Sequence, residues 1–156
     1  MLKEVNQIKE KKENKEKRED YTKPLTFTID PDNAKDFDDA LSFKKLENNI
    51  FEIGVHIADV SSYVRPDTEL DKEARKRGTS VYLANKVVPM LPEKLSNEIC
   101  SLEPNKNKRA FSIIFEIDKE GNILKERAAR TTILSDYRFT YSEVQSIIEN
   151  QNETKD

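Results

Sequence analysis

Apolar and polar positions alternate with a period of two in several stretches of this chain, which is the pattern of half-buried strands. From Pro24 onward, Leu25, Phe27 and Ile29 alternate with Thr26 and Thr28. Residues 40–43 read as another short strand, and Glu47-Asn48-Asn49 as the turn after it. Phe51, Ile53, Val55 and Ile57 then alternate with Glu52, Gly54 and His56, which predicts the clearest strand in the sequence. Residues 80–83 and 86–90 read as extended. Residues 111–117 and 123–134 flank Asp118 to Asn122, which predicts a hairpin.

Helices are marked by their ends. Thr68 and Asp71 have capping-box spacing, and Gly78 follows Lys76-Arg77 as a stop. Thr140 and Glu143 repeat the box and open a terminal helix carrying Val144, Ile147 and Ile148. Pro92 begins a tight, short-helical stretch through Leu102. Residues 1–20 are a low-complexity run of Lys, Glu and Asn. Leu2, Val5 and Ile8 begin a helical stripe there that nothing apolar continues, so residues 1–23 read as a charged helical or disordered lead-in. Residues 24–150 are then the folded part and 151–156 a polar tail. No internal repeat is visible. The expected fold class is α+β, with a mixed or antiparallel sheet and flanking helices.

Composition narrows the partners. Of 156 residues, 35% are hydrophobic and 37% charged, which is polar for a self-contained globule and suggests solvated parts or absent packing partners. The net charge of -3 lacks the basic surplus of a free-standing nucleic-acid binder, so any nucleic-acid role must rest on a local site or on regions outside this chain. Cys100 is the only cysteine, which excludes an internal disulfide and a cysteine zinc site. The charged start has no apolar signal-like core, and no run is long enough to span a membrane, so the expected compartment is the cytoplasm.

The candidate chemistry is the acidic segment Asp30-Pro31-Asp32-Asn33-Ala34-Lys35-Asp36-Phe37-Asp38-Asp39. Carboxylates this close repel one another unless something positive sits among them. Magnesium suits them, being a hard cation that takes oxygen ligands and often combines few carboxylates with substrate phosphates. On a regular strand Asp36 and Asp38 share a face while Asp39 points the other way, so convergence requires a loop, which Pro31 and Asn33 favour. A soluble acidic turn is the bland alternative. A calcium EF-hand loop would need Gly at Lys35 and Glu at Leu41, and it fails at both. Asp30-x-Asp32 after a strand also resembles the nucleophile motif of haloacid-dehalogenase-type phosphatases, which leaves Asp36, Asp38 and Asp39 without a role.

Taken in order, Thr28-Ile29-Asp30 through Asp36-Phe37-Asp38-Asp39-Ala40-Leu41, Val55-His56-Ile57-Ala58-Asp59-Val60-Ser61, Leu70-Asp71-Lys72-Glu73-Ala74, Gly78-Thr79-Ser80-Val81-Tyr82-Leu83, Pro89-Met90-Leu91-Pro92, Leu95-Ser96-Asn97, Cys100-Ser101-Leu102 and Arg138-Phe139-Thr140-Tyr141 resemble the ribonuclease II / ribonuclease R family, with a flavour closer to ribonuclease R. The resemblance runs from Leu25 to about Glu149. It implies the front part of an RNB-type catalytic domain that degrades RNA processively from a single-stranded 3′ end to nucleoside 5′-monophosphates, with Mg2+ as cofactor. Asp30, Asp36, Asp38 and Asp39 occupy the positions of the family's four catalytic, metal-binding aspartates. By the same resemblance, Asp30 and Asp39 are the more direct ligands, Asp38 is most critical for chemistry and Asp36 supports. Tyr82 matches an aromatic that stacks on the terminal nucleotide. The family's domain is much longer. Its later part supplies an arginine for the scissile phosphate and a second aromatic clamp, and OB-type RNA-binding domains flank it. These are the expected partners of this segment, together with RNA and without a membrane. The apolar faces of the 51–57 strand and of the terminal helix are therefore expected to be undercovered.

Other residues have plainer readings. His56 sits mid-strand and suits a packed, hydrogen-bonded role better than general-base chemistry. Asp59 suits equally an outer support of the acidic site or an ordinary turn. Arg75, Lys76 and Arg77 suit the dipole of their helix's last turn. Tyr82 without the resemblance would be a sheet-core aromatic. The leading function is a metal-dependent exoribonuclease module. The alternatives are a non-catalytic remnant that binds metal or a partner and, more remotely, a small-molecule phosphatase.

Overall fold

The alternating stretches form strands in the structure, a computed structural model that describes Val5, Ile8 and residues 17–150. The strands are β1 (Glu19–Tyr21), β2 (Leu25–Asp30), β3 (Asp39–Lys45), β4 (Phe51–Ala58), β5 (Val81–Leu83), β6 (Lys86–Val88), β7 (Asn107–Ile117), β8 (Ile123–Leu134) and β9 (Tyr137–Thr140). Helix α1 spans Glu69–Arg77 and α2 spans Tyr141–Glu149. Seven strands make one sheet in the order β1-β8-β7-β4-β3-β2-β9, and β5 and β6 pair separately. The two outer pairings, β1 with β8 and β2 with β9, are parallel, and the inner ones are antiparallel. The fold is α+β, as expected.

The helix ends follow their caps. Thr140 Oγ1 accepts from Glu143 N, and the Glu143 carboxylate accepts from Thr140 N at 2.7 Å, a complete capping box. Thr68 caps α1 in one direction, accepting from Asp71 N, but Asp71 accepts from Asp67 N instead of closing the box. Gly78 ends α1 at φ 72°, where a side chain would be strained. Residues 94–99 wind as a π-helical segment closed by Cys100 N donating to Leu95 O at 2.8 Å. Arg75 and Arg77 pair with Asp71 and Glu73 one turn back along α1.

Periodicity gives the strands but not which face is covered. On β2 the buried residues are Thr26, Thr28 and Asp30, and on β4 they are Gly54, His56 and Ala58. The same small or polar face continues through Ala40, Ser42, Ala110 and Ser112. Its short side chains let the segments carrying Phe37, Leu70, Leu91, Leu95 and Leu102 pack close to the sheet. Each fully buried leucine there contributes about 1.5–3 kcal/mol over an exposed one. Ile114 and Ile133 aside, many large apolar residues lie on the other face, where Leu25, Phe43, Ile57, Phe111, Ile113 and Tyr137 are each at least two-fifths exposed. On α2, Ile147 and Ile148 are exposed as well. The expected undercovering is therefore present, and it extends over much of one sheet face.

The sheet also begins earlier than Pro24. β1 pairs Glu19, Asp20 and Tyr21 with Thr131, Thr132 and Ile133. Just before it, Arg18 donates to Asp59 Oδ2 at 2.5 Å and to the carbonyls of Ala110 and Thr131. Val5 is helical and buried in the core and Ile8 packs beside it, so these two apolar positions are covered rather than solvated. The rest of residues 1–16 and the 151–156 tail lie outside the described residues.

His56 is the polar centre of the covered face, fully buried. Its Nδ1 lies 2.6 Å from Ser112 Oγ and its Nε2 2.9 Å from Ser42 Oγ. Ser112 in turn bonds to Thr131, whose hydroxyl is directed to Ala110 O. Each ring nitrogen of the neutral imidazole thus has a hydroxyl partner, one nitrogen donating and the other accepting. Gly54 is required beneath the ring, because a Cβ there would come within 2.5 Å of His56 Nε2. Burial pushes the His56 ring down from 6.5 to about 4, so the folded state holds it neutral. The unfolded chain takes up a proton below about pH 6.5. This contribution is therefore complete above pH 6.5, is lost between pH 6.5 and 4, and amounts to about 3 kcal/mol. Urea midpoints at pH 7.5 and pH 4.5 should fall steeply for the wild type and much less for His56→Gln. Equal falls would place the acid sensitivity elsewhere.

Candidate functional site

β2 delivers Asp30 at its last position, and β3 starts at Asp39, so the acidic segment is the connection between two antiparallel neighbours. The connection bulges outward instead of closing as a tight hairpin. Pro31 starts it with a turn in which Ala34 N donates to Pro31 O at 3.0 Å. Phe37 folds inward and is buried, which turns Asp36 and Asp38 away from the core. Asp38 O accepts from Ala58 N at 2.8 Å, and Phe37 O accepts from Leu102 N at 2.8 Å. Arg138, carried in by the parallel pairing of β9 with β2, donates from Nη2 to Pro31 O at 2.6 Å and Asp32 O at 2.8 Å.

The loop opens on a cleft of about 570 Å³ lined by Asp30, Asp36, Asp38, Tyr82, Glu93 and Asn97 among others. Asp39 stands beside this lining, exposed at the first position of β3. Asp30 is 8% exposed, and its Oδ2 is buried without a hydrogen-bond partner. Burial raises the Asp30 carboxyl above its ordinary value, the neighbouring Thr28 hydroxyl and then Arg138 offset part of the rise, and the charges of Asp39 and Asp36 add to it. Asp38 is also raised, by desolvation and then by Asp36, Asp39 and Asp30. The Asp38 side chain is open to solvent, so the three charges carry the argument there. Among the described residues no group of three His, Cys, Asp or Glu side chains is placed to hold a metal ion by itself. The donor set still fits a cation that keeps its own waters and takes further ligands from a phosphate. An orphaned buried carboxylate oxygen and mutual repulsion among carboxylates are both relieved by such an ion.

Tyr82 belongs to the small β5–β6 hairpin and is 69% exposed, which excludes the sheet-core alternative. Its Oη lies 3.5 Å from Asp36 Oδ2, too far for a strong bond but within the same cleft. His56 has both ring nitrogens engaged by serines, as a structural histidine should. Asp59 turns to Arg18, Arg130, Ser61 and Ser62; desolvation raises its carboxyl, but the bonds from Ser61, Arg18 and Ser62 and the Arg18 charge bring it down to about 2. It anchors the segment before β1, and the outer support of the acidic site falls instead to residues that sequence reasoning passed over. These are Ser101, whose only signal was its place in the Cys100-Ser101-Leu102 block, and Arg138.

The chain is similar to known proteins over most of its length. The RNB domain matches residues 18–156. Ribonuclease R 1 of Lactococcus lactis is 51% identical over 129 residues, which cover 83% of this chain and 16% of that protein. DIS3-like exonuclease 2 of Schizosaccharomyces pombe is 46% identical over 134 residues, covering 85% of this chain and 14% of that protein. The structure of Mycoplasma genitalium RNase R in complex with ribose-methylated single-stranded RNA superposes with a TM-score of 0.87 at 35% identity, covering 98% of this chain and 24% of that one. The chain thus spans less than a fifth of the length of these two curated relatives.

Proposed function

This chain belongs to the RNB domain family, and we propose that its acidic cleft is the divalent-metal and RNA-end site of an exoribonuclease working from the 3′ end. The observation that carries this reading is the convergence of Asp30, Asp36, Asp38 and Tyr82 on one cleft, with a buried Asp30 oxygen left unpartnered. Asp30 and Asp39 would be the more direct ligands of Mg2+, Asp36 a supporting one, and Asp38 the carboxylate most closely tied to the reacting phosphate. When bound, the cations would activate water and offset charge on the phosphate. Tyr82 presents an exposed ring over the same cleft, where a terminal base can stack regardless of its identity. Such stacking is worth about 1–3 kcal/mol per base. Non-specific stacking and backbone-directed chemistry suit stepwise release of nucleoside 5′-monophosphates.

A covalent phosphatase mechanism through Asp30 leaves Asp36 and Asp38, which line the same cleft, without a role. For the chain in isolation, the open apolar sheet face favours a metal- or RNA-binding module without turnover. The reading is tested in a full-length protein containing this segment, using end-labelled RNA and Mg2+. Shortening from the 3′ end with mononucleotide release is expected. Release from the 5′ end, or internal cuts alone, would contradict it. In the same protein Tyr82→Ala should loosen the grip on the last nucleotides and change the length of the final undigested product, read on a sequencing gel. An unchanged product ladder would remove Tyr82 from the RNA site.

A further inference from the structure

The acidic connection is gripped from outside at both halves, and the two grips meet at Phe37. Ser101 is fully buried. Its Oγ accepts from Phe37 N at 3.0 Å and donates to Lys35 O at 3.0 Å, so one hydroxyl fastens the backbone on both sides of Asp36. The next residue adds Leu102 N donating to Phe37 O at 2.8 Å, which ties down both backbone polar groups of Phe37. This anchor is itself fixed to the sheet. The nearly buried Lys108 of β7 donates its ammonium to Glu98 O and reaches the Glu103 carboxylate, holding the end of the π-helical segment that leads into Ser101. At the other half, Arg138 holds Pro31 O and Asp32 O, and its guanidinium lies 5.5 Å from the centre of the Phe37 ring. Both bonds leave Nη2 while the planar guanidinium lies by the Phe37 ring, and a lysine ammonium has no flat group to reproduce that combination.

A loop of this kind could satisfy its backbone with water. Binding a small, strongly hydrated cation instead needs oxygens held in place before it arrives, and outer partners of ligands typically change metal affinity about 10–100-fold. Resting on the metal-site reading above, we propose that Ser101 and Arg138 are positioning residues that set the spacing of Asp30 relative to Asp36, Asp38 and Asp39. Neither would touch the cation or the RNA.

The test uses the full chain and Mn2+ as probe, with free Mn2+ followed by electron paramagnetic resonance and amide exchange followed by NMR. Wild-type and Asp30→Asn chains first establish the site, and Asp30→Asn, which alters a direct ligand, is expected to lose binding. Ser101→Ala should speed exchange of the Phe37 amide and weaken Mn2+ binding roughly tenfold. Ser112→Ala, a buried serine removed from the His56 chain, controls for stability and should leave Mn2+ affinity within about twofold, as expected for an independent site. Arg138→Lys keeps the charge but loses the grip on two carbonyls, and it should also weaken binding severalfold. It serves as the second variant if Ser101→Ala does not fold. Wild-type affinity in both Ser101→Ala and Arg138→Lys, with Asp30→Asn still defective, would overturn the positioning roles and leave the metal site standing. Binding that Asp30→Asn does not reduce would overturn the site and the positioning roles together.

Discussion

Asp38→Asn in a full-length protein containing this segment should lower single-turnover RNA cleavage by at least about a thousandfold, equivalent to ~4 kcal/mol of barrier. RNA binding should stay within about twofold, because the lost carboxylate acts at the reacting phosphate and not along the bound strand. The asymmetry follows from where Asp38 stands. It lines the cleft, its carboxyl is raised by desolvation and then by three neighbouring carboxylates, and its backbone is attached to Ala58 of β4. The Asn side chain preserves that shape and removes the charge. Rapid-quench cleavage and filter binding, run in parallel, separate the two effects. Near-normal cleavage would remove Asp38 from the chemistry, and an equal loss of both would make it a binding residue.

The second large effect concerns the 156-residue chain by itself, which should degrade RNA at least about a thousandfold more slowly than the full-length protein, a loss of ~4 kcal/mol or more. The relatives are five or more times longer than the part this chain matches, and the family resemblance places an arginine for the scissile phosphate in that later part. Four aspartates and a phosphate would then face too little positive charge. The fold adds a second reason. Leu25, Phe43, Ile57, Phe111 and Ile113 leave a broad apolar face open, so the sheet beneath the cleft is supported on one side only. The assay is labelled single-stranded RNA with Mg2+ and the purified chain, with the Asp38→Asn chain exposing any contaminating nuclease. Robust 3′ degradation that vanishes in that control would show that this segment holds a complete catalytic site.

How far the sequence foretold this depends on the range of the interactions. Period-two alternation placed β2 and β4, and the turn from Asp118 to Asn122 placed β7 and β8 on either side of it. Alternation could not tell which face is covered. Large side chains ordinarily mark the inside, yet here Gly54, Ala58 and Ser42 mark it by permitting close approach, and many larger residues face outward. β1 and β9 escaped notice because three or four residues carry no period, and β1 pairs with residues more than a hundred positions away. Capping residues located both helices because a cap is a local hydrogen bond. The acidic loop was legible for the same reason, since its carboxylates are neighbours in the chain. Its supports were not, because Ser101 and Arg138 become informative only once folding brings them to Lys35, Phe37 and Pro31. Asp59 shows the converse. It closes a strand near the acidic residues in sequence, but its carboxylate turns to Arg18 and Arg130.

Anomalous scattering from crystals of the full-length protein soaked in Mn2+ tests the central claim most directly. The expected result is a peak in the cleft, about 2 Å from an Asp30 carboxylate oxygen and within direct or one-water reach of Asp36, Asp38 or Asp39. A fully occupied Mn2+ elsewhere in the molecule, with Asp30 Oδ2 still unpartnered and the cleft empty, would contradict it.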